Sequence, residues 1–250
     1  MFEKCFKSIP SHKVDELIII NDGEQSVDSF VHAHNMHASI INTGGGGVGV
    51  AKNAALKYLI DRECDYIFLI EDDMLIKRED IFEEYIKASK ATGLHHMMFA
   101  YHGPANKNNI SGGPPCPRVV LEYPSELKIA LNQHCVGAFC MYTKESLQKV
   151  GLFDTQFHNA FEHVHHSYLL CKNNFCTEYW WWPDIANSLD FIEEQACSEH
   201  NSTIRPRKDW QENIRKGFEH FMRLEGKSPV QIADASFEQV KTKLKQLIKQ

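Results

Sequence analysis

Five consecutive apolar residues, Tyr66-Ile67-Phe68-Leu69-Ile70, run without a spacer into Glu71-Asp72-Asp73. So short and uniform an apolar run, bounded by polar residues, predicts a strand buried in a covered sheet. Three neighbouring carboxylates at the carboxyl end of such a strand repel one another. A solvated turn would tolerate them. A divalent cation held between the carboxylates and a ligand phosphate accounts for them better, because hard cations take oxygen ligands.

The segments around this strand alternate. Residues 2–9 read as a helix, Glu16 to Ile20 as a buried strand stopped by Asn21-Asp22-Gly23, and Ala38 to Asn42 as a second strand that runs into glycines 44–47 and 49. A helix over Val50 to Asp61 follows, with Ala51, Ala54, Ala55, Tyr58 and Leu59 on one stripe. Glu79 to Thr92 reads as a helix closed by Gly93. Further strands are expected at 97–101, 119–123 and 138–143, then a helix over Lys144 to Val150. Strands that alternate with helices predict an α/β fold with a mostly parallel sheet. From about residue 209 the chain turns helical and charged, and Ser228-Pro229 divides that region. The division expected is a main domain over 1–225 and a helical tail over 226–250.

The chain has 250 residues, enough for one α/β domain with a short appendage. Its 27 Lys and Arg against 33 Asp and Glu leave a net charge of −6, which argues against a mainly electrostatic nucleic-acid binder. No apolar run reaches the roughly 18–20 residues of a membrane helix, and the polar opening MFEKCFKSIPSHK lacks a signal-peptide core. The expectation is a soluble cytoplasmic protein. Its eight Cys are scattered, without the two-residue spacing of a zinc site, and read as free thiols that fill the core. The 14 His cluster at 32–37, 95–102 and 158–166, a spacing that is weak evidence for metal.

A strand, then Gly44-x-Gly46-x-x-Gly49, then a helix is also the shape of a dinucleotide-binding turn. Against a nicotinamide-dependent oxidoreductase, another strand precedes the unit. The acidic strand end also carries three carboxylates where one suffices to hold a ribose.

Four motifs in order resemble the GT-A glycosyltransferases, and among them the inverting, nucleotide-sugar-dependent family 2. Asn21-Asp22-Gly23 is similar to the family's Asp-Asp-Gly turn, and Asn42 with Lys52-Asn53 to its Asn-x-Gly…Ala-Arg-Asn segment. Glu71-Asp72-Asp73 is similar to the Asp-x-Asp signature. Gly151-Leu152-Phe153-Asp154 with Phe161-Glu162-His163 is similar to the acceptor-side motif that carries the base. The resemblance implies a mixed, Rossmann-like sheet flanked by helices, with Mn²⁺ or Mg²⁺ bridging a diphosphate. It also implies a nucleotide-sugar donor, most simply UDP-linked, and a saccharide or lipid-linked saccharide acceptor. In these terms Asn21, Asp22, Gly23, Asn42, Lys52, Asn53, Glu71 and Asp72 hold the nucleotide sugar, and Asp73, Glu71 and His200 hold the metal. Glu162 or His163 is the base, with Glu162 preferred because the family uses carboxylates; His165 and Trp181 face the acceptor.

The chain departs from the family in two places. The opening strand has no counterpart, so either an upstream piece is missing or the nucleotide pocket is completed differently. His163 stands where the family has its Asp. Both departures suit a second reading, a catalytically inactive nucleotide- or sugar-binding protein derived from the fold. In the tail, Phe237, Val240, Leu244 and Leu247 beside Lys241, Lys243, Lys245 and Lys249 form a basic amphipathic helix. Such a helix offers peripheral contact with the inner face of a membrane or packs on its own domain.

Overall fold

The computed structural model describes residues 1–33, 38–108, 113–195, 208–232 and 234–248. The chain opens with α1 (Phe2–Ser8), β1 (Ile18–Asn21) and α2 (Asp28–Ala33), followed by β2 (Ser39–Asn42) and α3 (Val48–Asp61). Strands β1 and β2 pair in parallel, Ile18 opposite Ser39 and Asn21 opposite Asn42. Next come β3 (Tyr66–Ile70), β4 (Met74–Ile76), α4 (Ile81–Thr92) and β5 (His96–Met98). Helix α4 ends where expected: Gly93 adopts φ 71°, and its N–H returns to the Ser89 carbonyl. The second half holds β6 (Val119–Glu122), β7 (Lys128–Asn132), β8 (Phe139–Thr143), α5 (Lys144–Val150) and α6 (Glu162–Lys172). It closes with β9 (Trp182–Ile185), β10 (Ile192–Glu194), α7 (Trp210–Glu225) and α8 (Phe237–Leu247).

The mixed α/β architecture with a helical tail is as expected, but the sheet is not mostly parallel. Among the described strands only β1 and β2 pair in parallel. Strands β3 and β5 do run in the same direction, as a strand-helix-strand unit predicts, but β8 lies between them and pairs antiparallel to both. Strands β6, β7 and β9 form a second antiparallel group, and β4 pairs with β10. Three-residue strands such as β4 and β10 are too short to leave a periodic signal.

An aromatic core lies against β3 and β8, where Phe68, Phe82, Tyr85 and Phe139 meet with ring centroids 4.8–6.3 Å apart. Tyr85 donates to the buried Asp184 carboxylate on β9 at 2.5 Å, and the same group accepts from Ser188 and from the Ala100 amide. Among the described cysteines Cys5, Cys140, Cys171 and Cys176 are buried, and all seven are free.

Four of the histidines, His96, His165, His166 and His220, are buried in the core. His96 stacks on Tyr142, gives its Nδ1 proton to the Met141 carbonyl and accepts from Ser167. His166 stacks on Phe153 and donates to the Gly151 carbonyl. Burial lowers these imidazoles to about 3 for His96 and about 4 for His166, so both are neutral in the folded protein.

The aromatic run at 179–182 fastens the tail. Tyr179 donates to the Pro229 carbonyl, Trp180 to that of Ile232 and Trp181 to that of Ala235, while Trp181 stacks on Phe237. Helix α8 buries Val240, Leu244 and Leu247 against the domain, and the Lys243 ammonium donates to the Cys171 carbonyl and pairs with Glu178. This corrects the expectation of membrane contact through the tail, because the apolar face is already occupied. Among the described residues no helix is long and apolar enough to cross a membrane.

Two stability predictions follow from these contacts. Leu244→Ala is expected to cost about 2–4 kcal/mol in urea unfolding, because Leu244 is core rather than tail surface. For pH, the folded values of His96 and His166 lie below the ordinary 6.5, so their contribution is present above that pH and lost as pH falls. Asp184 acts oppositely: burial raises its carboxyl from 3.8 to about 7, so its contribution is lost as pH rises through 7. Two imidazoles against one carboxyl leave a net loss of about 2 kcal/mol between pH 7 and 4.5. Asp184→Asn removes the opposing term and is expected to steepen that loss to about 5 kcal/mol, measured by urea unfolding at the two pH values.

Candidate active site

The turn after β1 is tied to the turn after β2. Asn21 donates to Asn42 Oδ1 at 2.9 Å and to the Gln25 carbonyl, and its own Oδ1 accepts from the Gly23 amide. Asp22 accepts from the Thr43 hydroxyl at 2.6 Å and from the Gly47 amide at 3.0 Å, so both carboxylate oxygens hold the glycine loop in shape. Gly47 has φ 93°, and a Cβ there would come within 2.8 Å of His158 Nδ1. Only glycine lets the loop pass this close. Next to it, Asn159 accepts from the Val48 amide and caps α3.

Helix α3 places Lys52 at the centre of the site. Its ammonium is buried, 3.0 Å from Glu71 Oε1, 3.4 Å from Glu162 Oε1 and 3.4 Å from the Gly137 carbonyl. Burial alone would lower its pKa, but the charges of Glu71 and Glu162 hold it above the ordinary lysine range. Asn53 grips the backbone of Phe153 in both directions, Nδ2 to carbonyl and amide to Oδ1, each at 2.8 Å. Lys52 and Asn53, expected to hold nucleotide, thus bind protein groups here. Lys52 joins the strand-end carboxylates to the acceptor-side motif.

Glu162 opens α6 directly after Phe161, which sits in the left-handed region at φ 66°. Asn159 does the same at φ 57°. Such conformations are costly for residues with side chains and gather at functional sites. Glu162 is buried; desolvation would raise its carboxyl, but His163, which donates a hydrogen bond to it, and the Lys52 ammonium pull it well below the usual carboxylate range. His163 gives its Nδ1 proton to Glu162 Oε1 at 3.1 Å, and its Nε2 meets no hydrogen-bond partner among the described residues. Gly137 makes room for the ring, since a Cβ there would come within 2.9 Å of it.

At the other end of the seam, Asp72 is exposed, and partial desolvation with the neighbouring Asp73 charge raises its carboxyl. Asp73 is mostly buried: Oδ2 accepts from His102 Nε2 at 2.9 Å, while Oδ1 is buried without a partner. Gln195 fixes this turn, its amide on the Asp73 carbonyl and its side chain on that of Asp72. A buried carboxylate oxygen with no donor fits a divalent cation. Among the described residues no group of three His, Cys, Asp or Glu could hold a metal ion by itself, so a cation here would depend on ligand oxygens such as those of a phosphate.

The structure therefore joins Lys52, Glu71, Glu162 and His163 in one set of contacts, with Asp73 two residues beyond Glu71 on the strand end and Asp22 on the glycine loop before α3. It corrects the two acceptor-side expectations. His165 is buried between Phe157 and Phe221 and hydrogen-bonded to Glu225, and Trp181 is covered by the tail segment, so neither reaches this seam. His200 lies outside the described residues. Gly137, Asn159, His102 and Glu194, which pack around these residues, belong to none of the sequence motifs. Only His102, at the end of the histidine cluster 95–102, carried a signal.

No protein-family model matches the chain. It is similar to a protein of Acanthamoeba polyphaga mimivirus described as uncharacterized glycosyltransferase R363, 26% identical over 197 residues, or 76% of this chain and 71% of that protein. Among solved structures it is similar to GalNAc-T7 with UDP, GalNAc and Mn²⁺, with a TM-score of 0.51 and 11% identity over 93% of this chain and 48% of that one. The chain thus spans about half the length of that protein. The mannosyltransferase PcManGT from Pyrobaculum calidifontis, in complex with GDP-Man and Mn²⁺, gives a TM-score of 0.47 and 11% identity over 99% of this chain and 65% of that one. The fold is GT-A: a mixed sheet flanked by helices, with a helical tail.

The buried charges can be tested without a substrate. Lys52→Met leaves Glu162 buried with one partner fewer and is expected to cost about 3–5 kcal/mol in denaturant unfolding. Lys52→Met/Glu162→Gln, which removes both charges, is expected to recover at least half of that loss.

Proposed function

We propose that this protein is a metal-dependent glycosyltransferase that moves a sugar from a nucleotide sugar, UDP-linked, to a hydroxyl of a saccharide acceptor with inversion. The observation that carries the reading is the seam itself: an orphaned, buried Asp73 oxygen and a buried, ionised Glu162 joined through Glu71 and Lys52. The GT-A fold and the likeness to R363 support the same class of reaction. A divalent cation held by Asp73, and by Glu71 or phosphate oxygens, would neutralise charge on the departing diphosphate.

The chain's own residues account for the rest. Asp22 holds the glycine loop at the amino end of α3, where the nucleotide would lie. Lys52 keeps Glu71 and Glu162 in fixed relation and helps to keep Glu162 ionised. The Glu162 carboxylate accepts a hydrogen bond from His163 Nδ1–H, which leaves Nε2 as the ring nitrogen available to take the proton of the acceptor hydroxyl. In this arrangement His163 is the base and Glu162 orients it, a reversal of the order expected from the family's carboxylate. Direct attack assisted by one base, without a covalent intermediate, inverts the anomeric centre.

The test is turnover of common nucleotide sugars with and without Mn²⁺. The parent is expected to show metal-stimulated release of nucleoside diphosphate, and Asp73→Ala to abolish it. His163→Ala is expected to lower kcat by about 100-fold or more, and Glu162→Gln by a similar factor. Tight nucleotide binding without metal-stimulated turnover for any donor would replace this reading with that of an inactive binding protein. Loss with Glu162→Gln but not with His163→Ala would return the base to Glu162.

A further inference from the structure

The turn from β7 to β8, residues 133–138, touches three members of the candidate site. Its Gly137 carbonyl accepts from Lys52 at 3.4 Å, and its Ala138 carbonyl accepts from the Glu71 amide at 2.8 Å. Gly137 also leaves the space that the His163 ring fills. The group that holds this turn lies elsewhere in the sequence. Asn106, in the loop after β5, is buried and sits in the left-handed region at φ 57°. Its side chain binds the His134 backbone in both directions: Oδ1 accepts from the amide at 2.8 Å, and Nδ2 donates to the carbonyl at 3.0 Å. The other Nδ2 proton goes to the Ala100 carbonyl at 2.8 Å. Asn106 therefore pairs with His134 as a neighbouring strand would, while it ties the same turn to the end of β5.

The loop that carries Asn106 is itself fixed. The Asn106 carbonyl accepts from the Cys116 amide at 2.8 Å, which joins the outgoing and returning halves of the loop. At its start, His102 donates to Asp73 and the Gly103 amide donates to Glu194 at 2.8 Å. One loop thus meets the acidic strand end at residue 102 and the turn beneath His163 at residue 106. On the reading given above, in which His163 is the base, we propose that Asn106 is a positioning residue for the transfer. By clamping His134 it sets the turn on which Gly137, three residues later, seats the His163 ring. A base must bring its nitrogen within hydrogen-bond reach of the hydroxyl, and a misplacement of about 1 Å costs on the order of 100-fold in rate. Asparagine suits the clamp because its amide offers two donors and an acceptor on a short stem, whereas an aspartate in its place would face two carbonyls with an oxygen.

The experiment compares Asn106→Gly and Asn106→Asp with the parent, using the full chain. Glycine adopts the left-handed backbone readily but removes the clamp, and aspartate keeps its size but not its donors. Both variants are expected to lower kcat about tenfold or more with little change in the KM for the nucleotide sugar. Gly137→Ala, which pushes on the ring from the turn itself, is expected to give the same split. The second readout is the NMR signal of the His163 ring, identified by its loss in His163→Ala and observable without turnover. It should move in both Asn106 variants and in Gly137→Ala. Lowered melting with kcat and the His163 signal unchanged, or kcat and donor KM altered together, overturns the assignment. If Gly137→Ala lowers kcat while the Asn106 variants do not, this inference fails and the proposed reaction stands. If the parent turns over no nucleotide sugar, the proposed function fails, and a His163 signal unmoved by the Asn106 variants then removes this inference as well.

Discussion

The site depends on one buried ammonium. A lysine withdrawn from water is tolerated only when each proton finds an acceptor, and Lys52 finds Glu71, Glu162 and the Gly137 carbonyl. These acceptors come from the end of β3, the start of α6 and the turn before β8, so one charge fixes three segments that are distant in sequence. Together with the hydrogen bond from His163 it keeps Glu162 ionised in so dry a place. Because lysine is a point charge on a flexible stem, it serves two carboxylates from different elements, which the planar fork of an arginine would not do as readily.

A second set of contacts fixes the rim. Asp22, Asn159 and His158 surround the glycine loop from two sides, and the strained backbone at Asn159 and Phe161 sits between that loop and Glu162. Strain of this kind persists only where the surroundings impose it. The Asn53 grip on Phe153, the Asn159 cap and the bond from His220 to Asp154 supply that constraint from three directions.

Much of this was legible in the sequence, and the reasons for what was not are physical. The apolar run at 66–70 and the glycine stop after α4 act locally and mark their elements to the residue, while the Ser228-Pro229 break falls in the longer connection between α7 and α8. The acidic strand end was readable as chemistry because three adjacent carboxylates repel one another, and the Phe161-Glu162-His163 segment only through its resemblance to the acceptor-side motif. Pairing direction was not legible: β8 sits between two strands that the sequence presents as neighbours, and nothing local records an insertion made by residues far downstream. The roles of His165, Trp181 and Lys243 were missed for a related reason. An imidazole, an indole or an ammonium looks functional in sequence until its buried partners, here Glu225, the Ala235 carbonyl and the Cys171 carbonyl, are known.

The placement of β8 also bears on how the chain reaches its fold. Strands β3 and β5 can be hydrogen-bonded into a common sheet only once Phe139–Thr143 has been delivered between them. Contacts of such long sequence separation form slowly, since the intervening loop must first be closed against its entropy. A nascent chain of the first hundred residues would therefore carry two apolar strand edges with no partner for either. On a ribosome those edges would stay open until the far half of the domain emerged, and chaperone dependence would be concentrated in that interval.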